Sequence, residues 1–250
     1  MNDICVEVKS LSKCFLVPKQ RTTAFRILKA SFSGQSWKQE LWILREITFT
    51  IEKGDKLAII GDNGSGKTTL LRILSGIYEK TSGYLNVPLS PKALFRCWIG
   101  FNGELSVVDN IYLFGAVYGI RRDFLNEKIN NILQLSQLEH LRFASLKTLS
   151  SGQLQRLAFS IFMQAEDEFL IFDESLTFVD QLFGQKCCEY FKNLAASDKT
   201  VIMTAHDSSF LRKYCHQALW LEQGRIRMHG DVNKILDEYD RRINKNSSCA

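Results

Sequence analysis

The chain has 250 residues, of which 45% are hydrophobic and 24% are charged, and its formal net charge is +5. This length and composition predict one domain with one sizeable core, and the mild positive charge is compatible with a phosphate ligand or an anionic membrane face. The sequence shows neither a zinc-finger spacing nor a recurrent aromatic and basic ribbon, so we expect no nucleic-acid partner.

Strands dominate the prediction for the first hundred residues. Residues 4–8 alternate like an edge strand and run on to residue 15, and further strands are predicted at 47–51 and 57–60. Between them, residues 18–44 are polar and basic and end in an apolar group, so we expect a surface loop with some helix there. Short strands are expected around 84–87 and 97–100.

Helices are predicted in the middle of the chain, and strands return after it. Apolar residues recur at helical spacing from residue 106 to about 164, and one predicted face carries Ile111, Phe114, Val117 and Tyr118. The later apolar runs are continuous, which is typical of parallel strands covered on both faces. In chain order we expect a strand at 169–172, a helix at 182–194, a strand at 200–204, two strands joined by a turn at 218–226, a helix at 232–242 and a frayed tail at 244–250.

The cysteines and the apolar runs restrict where the chain can work. Its seven cysteines are scattered and never spaced C-x-x-C, which argues against a disulfide framework or a zinc site and favours a reducing compartment. No signal-peptide pattern is present. The longest apolar run covers residues 111–120, far short of the roughly 20 residues that span a bilayer. We therefore expect a soluble chain whose membrane role comes through a partner.

A glycine-rich loop lies between the strand at 57–60 and a helix. It satisfies the G-x-x-x-x-G-K-[ST] pattern with Gly61, Asp62, Asn63, Gly64, Ser65, Gly66, Lys67 and Thr68, followed by Thr69. The glycines let the backbone aim its amide hydrogens at the β- and γ-phosphates of a nucleotide, and the positive end of the helix favours the same anions. We expect Lys67 to neutralise phosphate charge and the Thr68 hydroxyl to ligate Mg²⁺.

Two carboxylates follow the apolar run at 169–172, at the strand end where open α/β sheets bind ligands. We expect Asp173 to hold Mg²⁺ and Glu174 to act as the general base for an attacking water. The alternative is a solvated strand end with two acids. His206 follows the next apolar strand, so it falls near the same edge and could contact the γ-phosphate or orient the water; the alternative is a structural histidine.

A Ser- and Gly-containing motif, Leu-Ser-Ser-Gly-Gln at 149–153, opens another predicted helix. It places a second set of amide donors at a helix N-terminus. Taken alone, it predicts no more than a helix N-cap.

Taken in this order, the phosphate loop, the Leu-Ser-Ser-Gly-Gln motif, the two carboxylates and His206 resemble the nucleotide-binding subunit of an ATP-binding cassette (ABC) transporter over nearly the whole chain. The resemblance implies an α/β fold, a P-loop NTPase core with an antiparallel β subdomain. It also implies an α-helical subdomain inserted at about 103–165, within a single domain spanning 1–250. The cofactors implied are ATP and Mg²⁺, and Lys67, Glu174 and His206 would be catalytic.

Further residue roles follow from the resemblance. In this family two subunits pair head to tail, so Ser150, Gly152 and Gln153 would serve the γ-phosphate bound by the other copy. Asp180 matches the loop that crosses the dimer seam. Phe15 matches the aromatic residue that stacks on adenine.

Two positions depart from the usual family pattern. Asn102 stands where a glutamine usually links the γ-phosphate to the helical subdomain, and it would join Thr68 and Asp173 at the metal with a shorter reach. Ser151 replaces the first glycine of the signature motif. These departures and the basic insertion resemble the branch that exports bacterial surface polysaccharides, O-antigens and teichoic acids.

The resemblance implies a homodimeric ATPase that works with integral-membrane permease subunits at the cytoplasmic face of the inner membrane. One alternative is a soluble ABC ATPase of translation or DNA maintenance, although such proteins usually carry two cassettes or a long coiled coil. The other is an ATP-binding scaffold without turnover, against which the intact catalytic residues argue. For coupling to the permease, we expect the exposed half of the apolar surface around Ile111, Tyr112, Phe114 and Tyr118, together with Phe101, to form a groove for a short helix.

Overall fold

The computed structural model describes residues 3–18, 38–95, 100–173, 181–205 and 207–247. The chain divides into two compact units, one made of Met1–Glu52, Ile59–Pro88 and Ala218–Ala250, the other of Lys53–Ala58 and Leu89–Gln217. The single-domain boundary at 1–250 stays a prediction.

The described residues form strands and helices whose bounds, in chain order, are as follows. The strands are β1 Ile4–Pro18, β2 Lys38–Glu52, β3 Lys56–Ile60, β4 Ser82–Asn86, β5 Lys92–Leu94, β6 Phe169–Asp173, β7 Thr200–Thr204, β8 Gln217–Glu222 and β9 Arg225–Asp231. The helices are α1 Lys67–Leu74, α2 Val107–Val117, α3 Arg122–Ser136, α4 Ser151–Phe162, α5 Gln181–Ala195, α6 Ser208–Tyr214 and α7 Val232–Ser247.

An antiparallel sheet in the order β2-β1-β4 belongs to the first unit. The prediction of β1 as an edge strand is wrong, because β1 pairs with β2 on one side and with β4 on the other. The prediction of a loop is also wrong for residues 38–44, which begin β2 and pair with β1, Trp42 opposite Cys14 and Leu41 opposite Phe15. The polar start at residues 38–40 hid this part of β2, and its backbone hydrogen bonds come from β1, which is distant in sequence. The rest of the predicted loop, 19–37, lies outside the described residues.

The first unit also contains the end of β3, helix α1, strands β8 and β9, and helix α7. Helix α7 buries Val232, Ile235 and Leu236, which lie on one face at helical spacing. The helix extends to Ser247, so the frayed tail predicted at 244–250 is wrong for residues 244–247, and the rest of it lies outside the described residues. The strand, turn and strand predicted at 218–226 are present as β8 and β9.

Parallel strands in the order β5-β6-β7-β3 form the sheet of the second unit. Every residue of β6 and β7 is buried, as continuous apolar strands covered on both faces should be. The predictions at 169–172 and 200–204 are therefore confirmed. The short strand β5 was not predicted, because three residues carry too little pattern. The strand expected at 97–100 falls largely on residues 96–99, outside the described residues.

The predicted helical segment contains α2, α3 and α4. Ile111 and Phe114 of α2 are fully buried, whereas Val117 is 62% exposed. At 3.6 residues per turn, Val117 lies about 120° from Ile111, while Tyr118 lies only about 20° from it. The predicted face is therefore wrong at Val117, and Ile111 and Phe114 are unavailable to the expected groove. No helix of the described residues has both the length and the hydropathy to cross a membrane.

Aromatic rings form the core between α4, β6 and α5 in the second unit. Phe191 is fully buried, and its ring centroid lies 5.1 Å from Phe172, 5.9 Å from Phe159 and 5.2 Å from Phe210. Close aromatic pairs add to the stabilisation that burial of their area provides. Phe191 therefore joins a helix, a strand and a second helix through one side chain.

We predict that Phe191→Ala lowers the free energy of unfolding by about 3–5 kcal/mol, because the lost ring leaves a cavity among side chains that cannot all move inward. Urea denaturation followed by circular dichroism measures the change. Phe143→Ala is the matched control, since Phe143 is 78% exposed and its removal should change stability by less than about 0.5 kcal/mol. Equal effects of the two variants would contradict this account of the core.

Candidate functional site

The glycine loop of the first unit connects β3 to α1 and packs closely on both sides. Gly66 precedes α1 with φ 107°, and a Cβ atom there would lie 2.7 Å from Leu44 Cδ2 of β2. A Cβ atom on Gly61 would collide with the Leu221 carbonyl oxygen of β8. These two positions therefore require glycine for space as well as for backbone conformation.

The turn between β8 and β9 supports the loop from outside. The Gly224 N–H donates to the Ser65 carbonyl over 3.2 Å, and the Gly224 carbonyl accepts from the Arg45 N–H over 2.8 Å. Backbone hydrogen bonds thus run from β2 through the turn to the loop. A cavity of about 710 Å³ opens beside Gly64, between β2 and this turn.

Polar groups inside the loop suit an anion. Lys67 is only 9% exposed, and its Nζ donates to the Gly61 carbonyl at 2.8 Å and to the Asp62 carbonyl at 3.4 Å. The buried Ser65 hydroxyl has no hydrogen-bond partner among the described residues. Helix α1 has no acidic residue in its first turn, so its positive end is not neutralised there. A buried ammonium and an orphan hydroxyl at a helix N-terminus form a favourable phosphate environment.

The exposure of the predicted loop residues follows from this packing. Ser65, Gly66 and Lys67 are buried, while Gly61, Thr68 and Thr69 are half-buried. The remaining loop positions, Asp62, Asn63 and Gly64, are exposed.

Phe15, also in the first unit, has aromatic and cationic neighbours. Its half-buried ring lies edge-on to Tyr78 with centroids 5.6 Å apart, and Lys13 Nζ lies 4.8 Å from its centroid. Arg72 of α1 donates from Nη1 to the Tyr78 hydroxyl over 2.8 Å. Tyr78 was not identified from the sequence as a neighbour of Phe15. Its only signal in the sequence was its position four residues after the end of α1. The pair offers the flat surfaces on which bases stack.

In the second unit, Asp173 ends β6 beside Thr204, which ends β7. The Thr204 hydroxyl donates to Asp173 Oδ1 over 3.0 Å, and both residues are buried. This bond fixes the orientation of the carboxylate. Thr204 was not predicted to have a role, because its pairing with Asp173 depends on strand register. Glu174, Asp180 and His206 lie outside the described residues.

Asn102, an exposed residue of the second unit, is held by a buried asparagine. The fully buried Asn110 accepts the Asn102 N–H at 2.7 Å and donates from Nδ2 to the carbonyls of Asn102, Leu105 and Ser106 at 2.9, 3.2 and 2.9 Å. Asn102 Oδ1 accepts from the Glu104 N–H at 3.0 Å. Sequence reasoning missed Asn110, whose only signal was a polar residue at an inward helical position.

The signature motif begins α4 with a capping box. The exposed Ser150 side chain accepts the Gln153 N–H, and the Gln153 side chain accepts the Ser150 N–H. Gly152 and Gln153 are half-buried. The preceding segment bonds to the Asn102 segment, since the Ser145 hydroxyl donates to the Gly103 carbonyl at 2.6 Å. The structure thus brings the Asn102 and signature segments together within the second unit.

A family model described as ABC transporter matches residues 44–177, more than half of the chain. The chain belongs to the ABC transporter family. The family prediction made from the motifs is confirmed.

Relatives and solved structures extend this assignment. The O-antigen export system ATP-binding protein RfbB of Klebsiella pneumoniae is 30% identical over 86% of this chain and 85% of its own length. The teichoic acids export ATP-binding protein TagH of Bacillus anthracis is 32% identical over 82% of this chain but only 37% of its own length. A dimeric structure of a bacterial ABC transporter cassette has a TM-score of 0.70 at 18% identity, covering 91% of this chain and 98% of that chain. The predicted P-loop NTPase fold class is therefore confirmed.

We predict that Asn110→Ala in this ABC family member lowers the free energy of unfolding by about 2–3 kcal/mol, because buried backbone groups of residues 102–106 lose their partner. Chemical denaturation measures the loss. Asn131→Ala on the exposed side of α3 is the control and should stay within about 0.5 kcal/mol of wild type. Wild-type stability of Asn110→Ala would contradict the anchoring role.

Proposed function

We propose that this chain is the ATP-hydrolysing subunit of an ABC exporter that moves a lipid-linked surface polysaccharide or a related polymer. One observation carries the nucleotide part: the buried Lys67 ammonium lies within a glycine loop at the start of α1, next to the Ser65 hydroxyl, which has no hydrogen-bond partner in the described part of the chain. The polymer part is supported by the O-antigen and teichoic acid export relatives. We place the subunit at the cytoplasmic face of the inner membrane, bound to permease subunits.

The phosphate loop would bind ATP through its backbone amides, with Lys67 leaving its two carbonyl partners to neutralise the β- and γ-phosphates. Phe15, with its neighbour Tyr78, would stack on adenine. The other residues of the loop, from Gly61 to Gly66, and Thr69 would donate hydrogen bonds to the phosphates from their backbone amides or side chains.

Mg²⁺ fits the oxygen donors that this chain supplies. The Asp173 carboxylate is oriented by Thr204 and would be one ligand, the half-buried Thr68 hydroxyl would be a second, and Asn102 would add an amide oxygen. When bound, Mg²⁺ would supply positive charge against the phosphate oxygens.

For hydrolysis, Glu174 would take a proton from a water whose oxygen attacks the γ-phosphorus, while His206 orients that water. The bond from the γ-phosphorus to its bridging oxygen breaks, and ADP and inorganic phosphate leave. In a head-to-tail dimer, Ser150, Gly152 and Gln153 of one copy would contact the γ-phosphate held by the other, with Asp180 at the seam. The dimeric ABC transporter cassette of the same fold supports the pairing of two copies.

We predict that Glu174→Gln slows ATP hydrolysis by roughly 10² to 10⁴-fold while ATP remains bound, because the amide keeps the shape but accepts no proton. Size-exclusion chromatography with ATP should then show a stable dimer. Lys67→Ala is the control that should weaken ATP binding, abolish hydrolysis and show no stable ATP-bound dimer. Persistent hydrolysis by a Glu174→Gln monomer would refute the base assignment.

A cavity in the second unit is our candidate for the permease contact, and of the residues around the expected groove it includes Tyr118. Its volume is about 540 Å³, and Tyr118 and Phe124 supply aromatic surface. Four acidic side chains line it against two basic ones, Asp123, Glu127, Glu166 and Asp167 against Lys92 and Arg121. The acidic excess favours a short permease helix with apolar and basic residues.

We predict that Glu127→Lys reduces co-purification of the permease subunit at least 10-fold, because it reverses charge at the cavity rim. ATP binding by the isolated subunit should stay within about 2-fold of wild type, since Glu127 is exposed. Glu139→Lys, an exposed position outside the cavity, is the matched control. Equal permease recovery with both variants would place the contact elsewhere.

A further inference from the structure

Helix α7 reaches the phosphate loop through a tyrosine. The half-buried Tyr239 donates from its hydroxyl to Asp62 Oδ1 over 3.3 Å, joining residues 177 positions apart in the chain. Both residues belong to the first unit. Phosphate binding by the loop does not require this contact, and the loop motif in the sequence gives no sign of it.

Trp220 anchors the Tyr239 ring. The Trp220 side chain is 2% exposed, and its ring lies edge-on to Tyr239 with centroids 5.2 Å apart. Arg227 of β9 and Arg242 of α7 lie 4.5 and 5.5 Å from the Trp220 centroid, and both pair with Glu222. Tyr239 therefore packs on the buried Trp220, which is flanked by a partly exposed ionic cluster, and this packing restricts the Tyr239 side chain.

The Tyr239 hydroxyl keeps its proton at neutral pH and can therefore donate a hydrogen bond. Burial, and then the negative charge of Asp62, raise the pKa of Tyr239 to about 12. At neutral pH the Tyr239 hydroxyl is therefore protonated and available as a hydrogen-bond donor.

Asp62 is consequently held at both ends. Its backbone carbonyl accepts from Lys67 Nζ inside the loop, whereas its side chain is directed to Tyr239 of α7. A carboxylate at the second position of a phosphate loop would repel a triphosphate if it turned inward, and that repulsion grows as the charges approach. The hydrogen bond to α7 disfavours this inward conformation.

We propose that Tyr239 is a positioning residue for the phosphate loop: it holds the Asp62 carboxylate against α7 and away from the bound triphosphate. This inference rests on the proposed nucleotide function of the loop. Because thermodynamic coupling is reciprocal, nucleotide binding then also stabilises the docking of α7.

The test is Tyr239→Phe, which removes the hydroxyl and keeps the ring on Trp220. We expect the KM for ATP to rise about 3- to 10-fold, with kcat changed less than about 2-fold. The thermal midpoint without nucleotide should stay close to wild type, since the packing is kept. Tyr84→Phe, on an exposed strand position of the same unit, is the matched control and should leave KM unchanged.

A second test, made in the Asp62→Asn protein, separates an effect on the Asp62 carboxylate from a general loss of rigidity in the loop. In Asp62→Asn, which has no carboxylate to restrain, adding Tyr239→Phe should change KM less than about 2-fold. A KM for Tyr239→Phe equal to wild type, or an equal rise in the Asp62→Asn background, would overturn the proposal. Failure of the proposed function looks different: wild type and Lys67→Ala would then bind ATP equally poorly.

Discussion

The carbonyl oxygens of Ile43 and Leu221 lie so near the glycine positions of the first unit that no side chain fits between them. A Cβ atom on Gly224 would collide with the Ile43 carbonyl, and one on Gly61 with the Leu221 carbonyl. This close approach lets the Gly224 amide bond the loop at Ser65. Backbone segments pack here without intervening side chains. The shape of the loop, the buried position of Lys67 and the contact between α7 and the loop all depend on this packing.

Local patterns in the sequence were enough to predict the phosphate loop, the buried parallel strands and the helices of the second unit, since each is encoded within a few consecutive residues. Features that depend on distant pairing were not predictable. The first residues of β2 are polar and become a strand only because β1 pairs with them. Thr204, Asn110 and Tyr239 matter through single hydrogen bonds to partners fixed by register or tertiary packing. The roles given to Glu174, Asp180 and His206 stay predictions.

The asparagine at position 102 is more than a shortened glutamine. Its Oδ1 accepts the N–H of the residue two positions on, which is the local turn that a short amide side chain can close. A glutamine would reach past this amide. In this conformation the side chain stabilises its own turn while Asn110 holds the backbone, so a contact with a γ-phosphate would compete with an existing hydrogen bond.

The discontinuous makeup of the first unit has a consequence for synthesis. All segments of the second unit precede residue 218, whereas the first unit needs Ala218–Ala250 as well as its earlier pieces. During translation the phosphate loop therefore emerges long before the β8–β9 turn and α7 that brace it. Until residues 218–247 have emerged, a nascent chain would carry the complete phosphate-loop motif without the β8–β9 turn and the helix α7 that support it.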